Sequence, residues 1–258
     1  MNARAALRDA EARLAAAGVE TPRVDAEWLV AHALGTTRSG VYARLDEEVD
    51  LDGLLTRREA REPLAYVLGE WGFRRLALKT DARALVPRPE TEIVVERALA
   101  LVRDVQSPRM LDVGVGSGAI ALALKDERPD ATVVGVDVSR DALSLARENA
   151  ARLGLAVELR ESDESAAGEG WDVVVSNPPY VDSLEGLQPE LRHEPRTALL
   201  GEDMHARIAA VAETRALVFE VGAGQAEEIA ALLGRLGYRE VRTTPDLAGI
   251  DRVVEGIR

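Results

Sequence analysis

The sequence predicts an α/β fold: a mostly parallel sheet covered by helices and ending in an antiparallel strand, with a small all-α domain in front of it. Three observations predict it. Residues 1–70 carry apolar positions at helical spacing between Pro and Gly stops. Beyond Ser107, short β-branched or aliphatic runs alternate with amphipathic stretches, the pattern of βαβ units. The last two runs are joined only by residues 244–251, too short for a helical crossover, so they are expected to pair antiparallel. The expected division is a helical domain at 1–70, a connecting β-hairpin at 71–86 and the sheet domain at 87–258.

In chain order, Leu7, Ala10 and Leu14 mark a first helix that Gly18 stops. Thr21 and Pro22 supply the N-cap and first position of a second, whose apolar side is read as Trp28, Leu29 and His32 before Gly35. A helix is expected over 51–61, and another from Pro63 to near Gly69. Phe73, Leu76, Leu78 and Leu85, set among Gly72, Asp81 and charged residues, suggest short strands and turns. A helix follows Pro87-Arg88-Pro89-Glu90 and runs through Val102. Strands are then expected at 110–113, 132–136, 156–159, 171–175, 216–221, 238–243 and 252–257.

A chain of 258 residues, 47% hydrophobic, buries a sizeable core. No apolar run reaches the roughly 20 residues that span a bilayer, and the first residues lack the apolar stretch of a signal peptide, so a cytoplasmic protein with no membrane partner is expected. Zero cysteines exclude disulfides and thiolate chemistry. His32, His193 and His205 are scattered, and no metal is expected. A net charge of −13 repels polyanions, which argues against direct nucleic-acid binding and favours a basic protein partner.

Two motifs carry chemistry. Asp112, Gly114, Val115, Gly116, Ser117 and Gly118 lie between a strand and a helix. Glycines there let backbone approach a ligand, and the helix start offers free N–H groups. Asp137 ends the next strand, about 20 residues on, where a carboxylate accepts from both ribose hydroxyls. This reads as nucleoside binding in a Rossmann-like sheet, but Gly114, Gly116 and Ala119 also satisfy the dinucleotide fingerprint. Asp112 orients the loop, approaches a cofactor ammonium, or caps local backbone donors. Asp163, after the third strand, is either an acceptor for an adenine amino group or part of a solvated acidic loop.

The second motif is Asn177-Pro178-Pro179-Tyr180 at the carboxyl end of a strand. Two prolines fix φ and remove donors, turning carbonyls outward. The Asn177 side-chain oxygen and the Pro178 carbonyl then both accept from one NH2 group, with Tyr180 as an aromatic wall. Such acceptors suit an amide nitrogen, a poor nucleophile whose hydrogens must be held as charge develops. Hydride transfer has no use for them. The bland alternative is a tetrapeptide that merely ends a strand.

These residues resemble the release-factor glutamine methyltransferases, the PrmC/HemK family, over nearly the whole chain. Residues 61–71 look like its interdomain segment, Pro87 to Glu92 like its PRPxTE motif and residues 246–254 like its C-terminal signature. The resemblance implies a class I methyltransferase fold that uses S-adenosyl-L-methionine to methylate N5 of the glutamine in the Gly-Gly-Gln motif of class 1 peptide chain release factors. The helical domain would help to grip that substrate. It places the cofactor loop on Gly114, Val115, Gly116, Ser117 and Gly118, its ribose acid on Asp137, and the glutamine on Asn177, Pro178, Pro179 and Tyr180. Arg88 and Glu92 are read either as lining the same cleft or as helix-start charge. Because the tetrapeptide is shared with adenine methyltransferases, an exocyclic amino group of a nucleic-acid base is the alternative substrate; a cofactor-binding module without catalysis is a third reading. The chain departs from the family pattern at Glu164, beside the adenine position, at Gly201-Glu202-Asp203-Met204-His205, and in lacking a Pro-Gly-Gly turn before residue 216.

Overall fold

The protein is described from a computed structural model covering every residue except Asp182, Leu184 and Glu202. The Glu202 position of the altered loop therefore lies outside the described residues. Two compact units are present: Met1–Glu70 with Leu187–His193, and Trp71–Gly186 with Glu194–Arg258.

The first unit is helical: α1 (Ala3–Ala16), α2 (Pro22–Ala33), α3 (Arg38–Val41), α4 (Asp52–Glu59) and α5 (Leu64–Leu68). Leu7, Ala10 and Leu14 of α1 pack on Ala26, Leu29 and Val30 of α2, with Leu55 and Val67 closing the core. Asn2, not foreseen as a cap, accepts from the Ala5 N–H at the start of α1. Thr21 stands at the start of α2, yet its hydroxyl donates to Asp25 (2.9 Å) instead of capping backbone. Trp28 and His32, read as part of the apolar side of α2, are exposed. The inward face is instead Asp25, Ala26, Leu29 and Val30, because buried Arg58 supplies Asp25 with a partner (2.7 Å). Arg58 and Arg61 also hold Glu190 in the segment that joins this unit (2.8 and 2.7 Å).

The second unit opens with the hairpin β1 (Glu70–Phe73) and β2 (Leu76–Lys79), then α6 (Thr91–Leu101). Its sheet comprises β3 (Arg109–Val113), β4 (Thr132–Asp137), β5 (Glu158–Glu161), β6 (Trp171–Ser176), β7 (Thr214–Glu220), β8 (Arg239–Pro245) and β9 (Asp251–Ile257) in the order β5-β4-β3-β6-β7-β9-β8. The helices are α7 (Ala119–Glu127), α8 (Arg140–Leu153), α9 (Arg196–Leu199), α10 (Met204–Val211) and α11 (Ala226–Arg235). Five strands run parallel, and β9 pairs antiparallel with both β7 and β8. Alternation sends Met110, Val173, Val175 and Val218 to a core on one face, and Leu111, Val174, Leu217 and Phe219 to a core on the other. The third strand starts two residues later than expected, at Glu158.

This topology fixes where a ligand binds. From β3 the chain winds outward through β4 to β5, then returns to lay β6 against the other side of β3 and continues to β7. The crevice at that reversal, outside the carboxyl ends of β3 and β6, is where open α/β sheets take ligands. Val113 and Ser176 end their strands side by side, and the Ser176 hydroxyl donates to the Val113 carbonyl (2.6 Å).

Candidate active site

A cavity of about 580 Å³ opens at this crevice, within the size range of small-molecule sites. Gly114, Val115, Gly116 and Ser117 form one wall, Asp137 and Asp163 with Glu164 a second, and Asn177 with Pro179 a third.

Backbone geometry explains the glycines. Gly114 and Gly116 have φ of 78° and 53°, and a Cβ at Gly114 would point into open space, so substitution there strains the loop without filling a core. Gly118, at φ 89°, starts α7 and lies outside the lining. The loop is tied down at both sides: the Gly114 and Val115 N–H groups donate to the Val136 carbonyl (both 2.9 Å), and Asp137 Oδ2 accepts from Gly116 N–H (3.0 Å). Asp137 Oδ1 accepts from Ser139 N–H (2.8 Å), so each oxygen of this cavity-lining carboxylate keeps acceptor capacity beyond one backbone bond. Asn149 of α8, fully buried, donates to the Ser117 and Lys79 carbonyls (2.9 and 3.1 Å) and accepts from Lys79 N–H (2.7 Å). It thus fastens the loop to the hairpin.

Asp112 is buried beneath the loop and outside the lining. One oxygen accepts from Ala121 N–H (3.0 Å) and the other has no partner among the described residues. Burial pushes its carboxyl up to about 7, with the nearby Asp137 charge adding to the effect. An unpartnered acceptor under a glycine loop, with a carboxylate at the next strand end, fits a cofactor carrying both a cationic group and a ribose.

The third wall carries an unforeseen hydrogen-bond chain. Asn177 Nδ2 donates to Thr91 Oγ1 (3.3 Å), Thr91 Oγ1 donates to Glu220 Oε2 (2.5 Å), and the Tyr180 hydroxyl donates to Glu220 Oε1 (3.4 Å). Glu220 ends β7 with 2% exposure, and burial raises its carboxyl to about 7. Desolvation and the Glu220 charge raise the Tyr180 phenol to about 12. Tyr180 and Pro178 lie outside the cavity lining, as does Glu92, whose carboxylate accepts from Arg74 N–H (2.7 Å). Arg88 lines the cavity and donates to Glu194, a buried carboxylate that also accepts from Val86 N–H (3.0 Å). Asp163 lines it too, but its carboxylate starts a turn by accepting from the Ser165 N–H and hydroxyl (3.0 and 2.5 Å). Glu164 pairs with Arg207. His205 packs edge-on against Phe219 (5.3 Å between centroids) and bonds the Glu220 carbonyl (2.7 Å), while burial lowers its pKa.

Thr91, Asn149, Glu194 and Glu220 were not read as site residues. Only Glu220 leaves a clear signal, a lone acid directly after the apolar run Ala216 to Phe219. The others reach the site through contacts that sequence spacing does not encode.

Among the described residues, no helix is long and apolar enough to cross a membrane. In comparisons with known proteins, the family descriptions "PrmC N-terminal domain" and "Methyltransferase small domain" match residues 5–69 and 91–194. The release factor glutamine methyltransferase of Geobacter sulfurreducens is 41% identical over 263 residues, covering 94% of this chain and 92% of its own. That of Deinococcus radiodurans is 43% identical, covering 100% and 99%, and that of Escherichia coli 38%, covering 97% and 96%. The hMettl16 catalytic domain, solved in complex with a MAT2A 3′UTR hairpin, shares the fold at a TM-score of 0.60 and 16% identity, over 83% of this chain and 84% of that one. With such identity sustained from the helical unit through the sheet, the chain belongs to the release factor glutamine methyltransferase family.

Proposed function

We propose that this protein is a cytoplasmic enzyme that transfers a methyl group from S-adenosylmethionine to N5 of the glutamine in the Gly-Gly-Gln motif of class 1 release factors. The observation that carries the reading is Asn177. It lines the same cavity as the glycine loop and Asp137, and its amide nitrogen is engaged by Thr91, so its oxygen is the end left to accept.

When bound, S-adenosylmethionine supplies an electrophilic methyl on a sulfonium. Asp137 would hold its ribose, Gly114, Val115 and Gly116 would lie against it, and Asp112 would favour its cationic end. The chain's other task is to hold the glutamine NH2. Asn177 Oδ1 accepts one hydrogen, and the carbonyl of Pro178, which lies between the lining residues Asn177 and Pro179, would accept the other; this draws positive charge off the nitrogen as its lone pair engages and favours a pyramidal geometry. Alignment contributes much of the rate, with effective molarities of about 10⁵ to 10⁸ M attainable from orientation. Proton removal before transfer is not required, and neither His193 nor His205 has that role; once methylated, the nitrogen gives up one of its two hydrogens as a proton to water. Arg88, held by Glu194, presents a cation at the rim for the incoming peptide.

Incubation with labelled cofactor and a release factor tests the proposal. Label on the Gly-Gly-Gln glutamine is expected; an unlabelled factor alongside methylated adenine or cytosine in an oligonucleotide would overturn the substrate assignment.

A further inference from the structure

The two ends of the Asn177 side-chain amide are nearly equal in size, so packing does not decide which one faces the cavity. Hydrogen bonding does. An ionised carboxylate only accepts, so the Thr91 hydroxyl, 2.5 Å from Glu220 Oε2, must spend its single hydrogen there. What Thr91 then offers Asn177 is a lone pair, which takes Nδ2 at 3.3 Å and leaves Oδ1 at the opposite end. The same carboxylate takes the Tyr180 hydroxyl on its other oxygen (3.4 Å), so one group ties both ends of the Asn177-to-Tyr180 turn.

We infer that Glu220, acting through Thr91, sets the polarity of this chain and so keeps the Asn177 oxygen turned toward the amide to be methylated, which makes Glu220 and Thr91 positioning residues. The inference rests on the amide-methylation reading for its consequence, though not for its geometry. Glutamine at 220 would fill the same space, but its amide donates as well as accepts, and the chain would lose its single direction. Protonated Glu220 has the same defect. The neighbours around the carboxylate are Thr91 and Glu90 near the start of α6, Tyr180 after β6, and Arg252 of β9, whose guanidinium is bound to Asp246 (3.0 Å). His205 of α10 reaches only the Glu220 backbone carbonyl. Among the described residues Glu220 makes no ion pair, and its burial, reinforced by the Glu90 charge, raises its carboxyl to about 7. The directed form is therefore lost as pH falls through that region.

Two measurements test this. With release factor as substrate, Glu220→Gln and Thr91→Val should each lower kcat about tenfold or more, the scale of one misdirected hydrogen bond. KM for S-adenosylmethionine should be unchanged in both variants, and Thr91→Ser should restore kcat. With S-adenosylmethionine saturating, so that its cation keeps Asp112 ionised, wild-type kcat should fall as pH is lowered through about 7, and the Glu220→Gln profile should be flat there. Without any substrate, the Asn177 side-chain NH2 resonances, identified by their loss in Asn177→Asp, should titrate in the wild type and not in Glu220→Gln. Unchanged kcat in both variants, a retained acid limb in Glu220→Gln, or Asn177 resonances indifferent to pH would overturn the assignment. A wild type that transfers no methyl would refute the underlying reading, while the resonance titration would still judge the chain of bonds. If Glu220→Gln does not fold, the Thr91→Val and Thr91→Ser pair and the wild-type titration give the decision.

Discussion

At the scale of single residues, Asp112 illustrates a site group that costs stability. Its carboxyl is raised from 3.8 to about 7 by burial, so between those values the folded state holds a proton that the unfolded chain has released. Stability therefore falls as pH rises through this window, and the penalty is fully present above it. Asp112→Asn should flatten that dependence in the ligand-free protein and raise its melting temperature at alkaline pH, by about 2–4 °C for each kcal/mol relieved. The same change should weaken S-adenosylmethionine binding in calorimetry, since the negative charge beneath the loop is gone; unaltered affinity would remove Asp112 from the cofactor site. Asp137→Ala should raise the cofactor dissociation constant about 10- to 100-fold, the worth of hydrogen bonds to a charged acceptor. Asn177→Ala should instead lower kcat by about 10² or more with little effect on cofactor affinity. These residues were legible because glycine spacing, a strand-end acid and a proline-locked asparagine each encode a local geometry. The meeting of Thr91 with Glu220 was not, since it joins the start of α6 to the end of β7 across 129 residues.

Among the elements, β4 and the glycine loop are fitted to each other. A Cβ on Gly135 would stand 2.5 Å from Val115 Cγ2 and 3.0 Å from Leu159 Cδ2. Val115 is stiff at χ1 and belongs to the loop, so the loop would have to move. Gly135→Ala should destabilise the protein by about 1–3 kcal/mol and loosen cofactor binding, as thermal unfolding and cofactor titration would record. The central strands β3, β4, β6 and β7 were read from the sequence to within a residue or two, because buried parallel strands are mostly continuous apolar runs. In α2 the reading held at Leu29 and failed at its other two residues. Trp28 and His32 looked like its inward side, but the buried pair of Asp25 and Arg58 turns the helix so that a carboxylate faces the core. Long-range pairing overrode local hydrophobicity there.

For the molecule as a whole, the network of Arg58, Asp25 and Glu190 binds a distant stretch of chain into the helical unit. Arg58→Ala would leave Asp25 buried without its cation and should cost about 3–5 kcal/mol in denaturant unfolding. Exposed Arg140, paired with Glu161 at the surface, should show no measurable change on the same substitution. The net charge of −13 should make kcat/KM for a basic release factor fall with added salt, whereas the enclosed cofactor site should respond less. The order β7-β9-β8 has a consequence for biosynthesis. β7 gains its second neighbour only from the last strand to be made, so the sheet is completed after the rest of the chain exists. β8 and β9 pair with each other and β9 then joins β7, which leaves β8 as the outer strand. Arg239, Glu240 and Arg242 lie along it, and such charges keep an open edge from pairing with another chain.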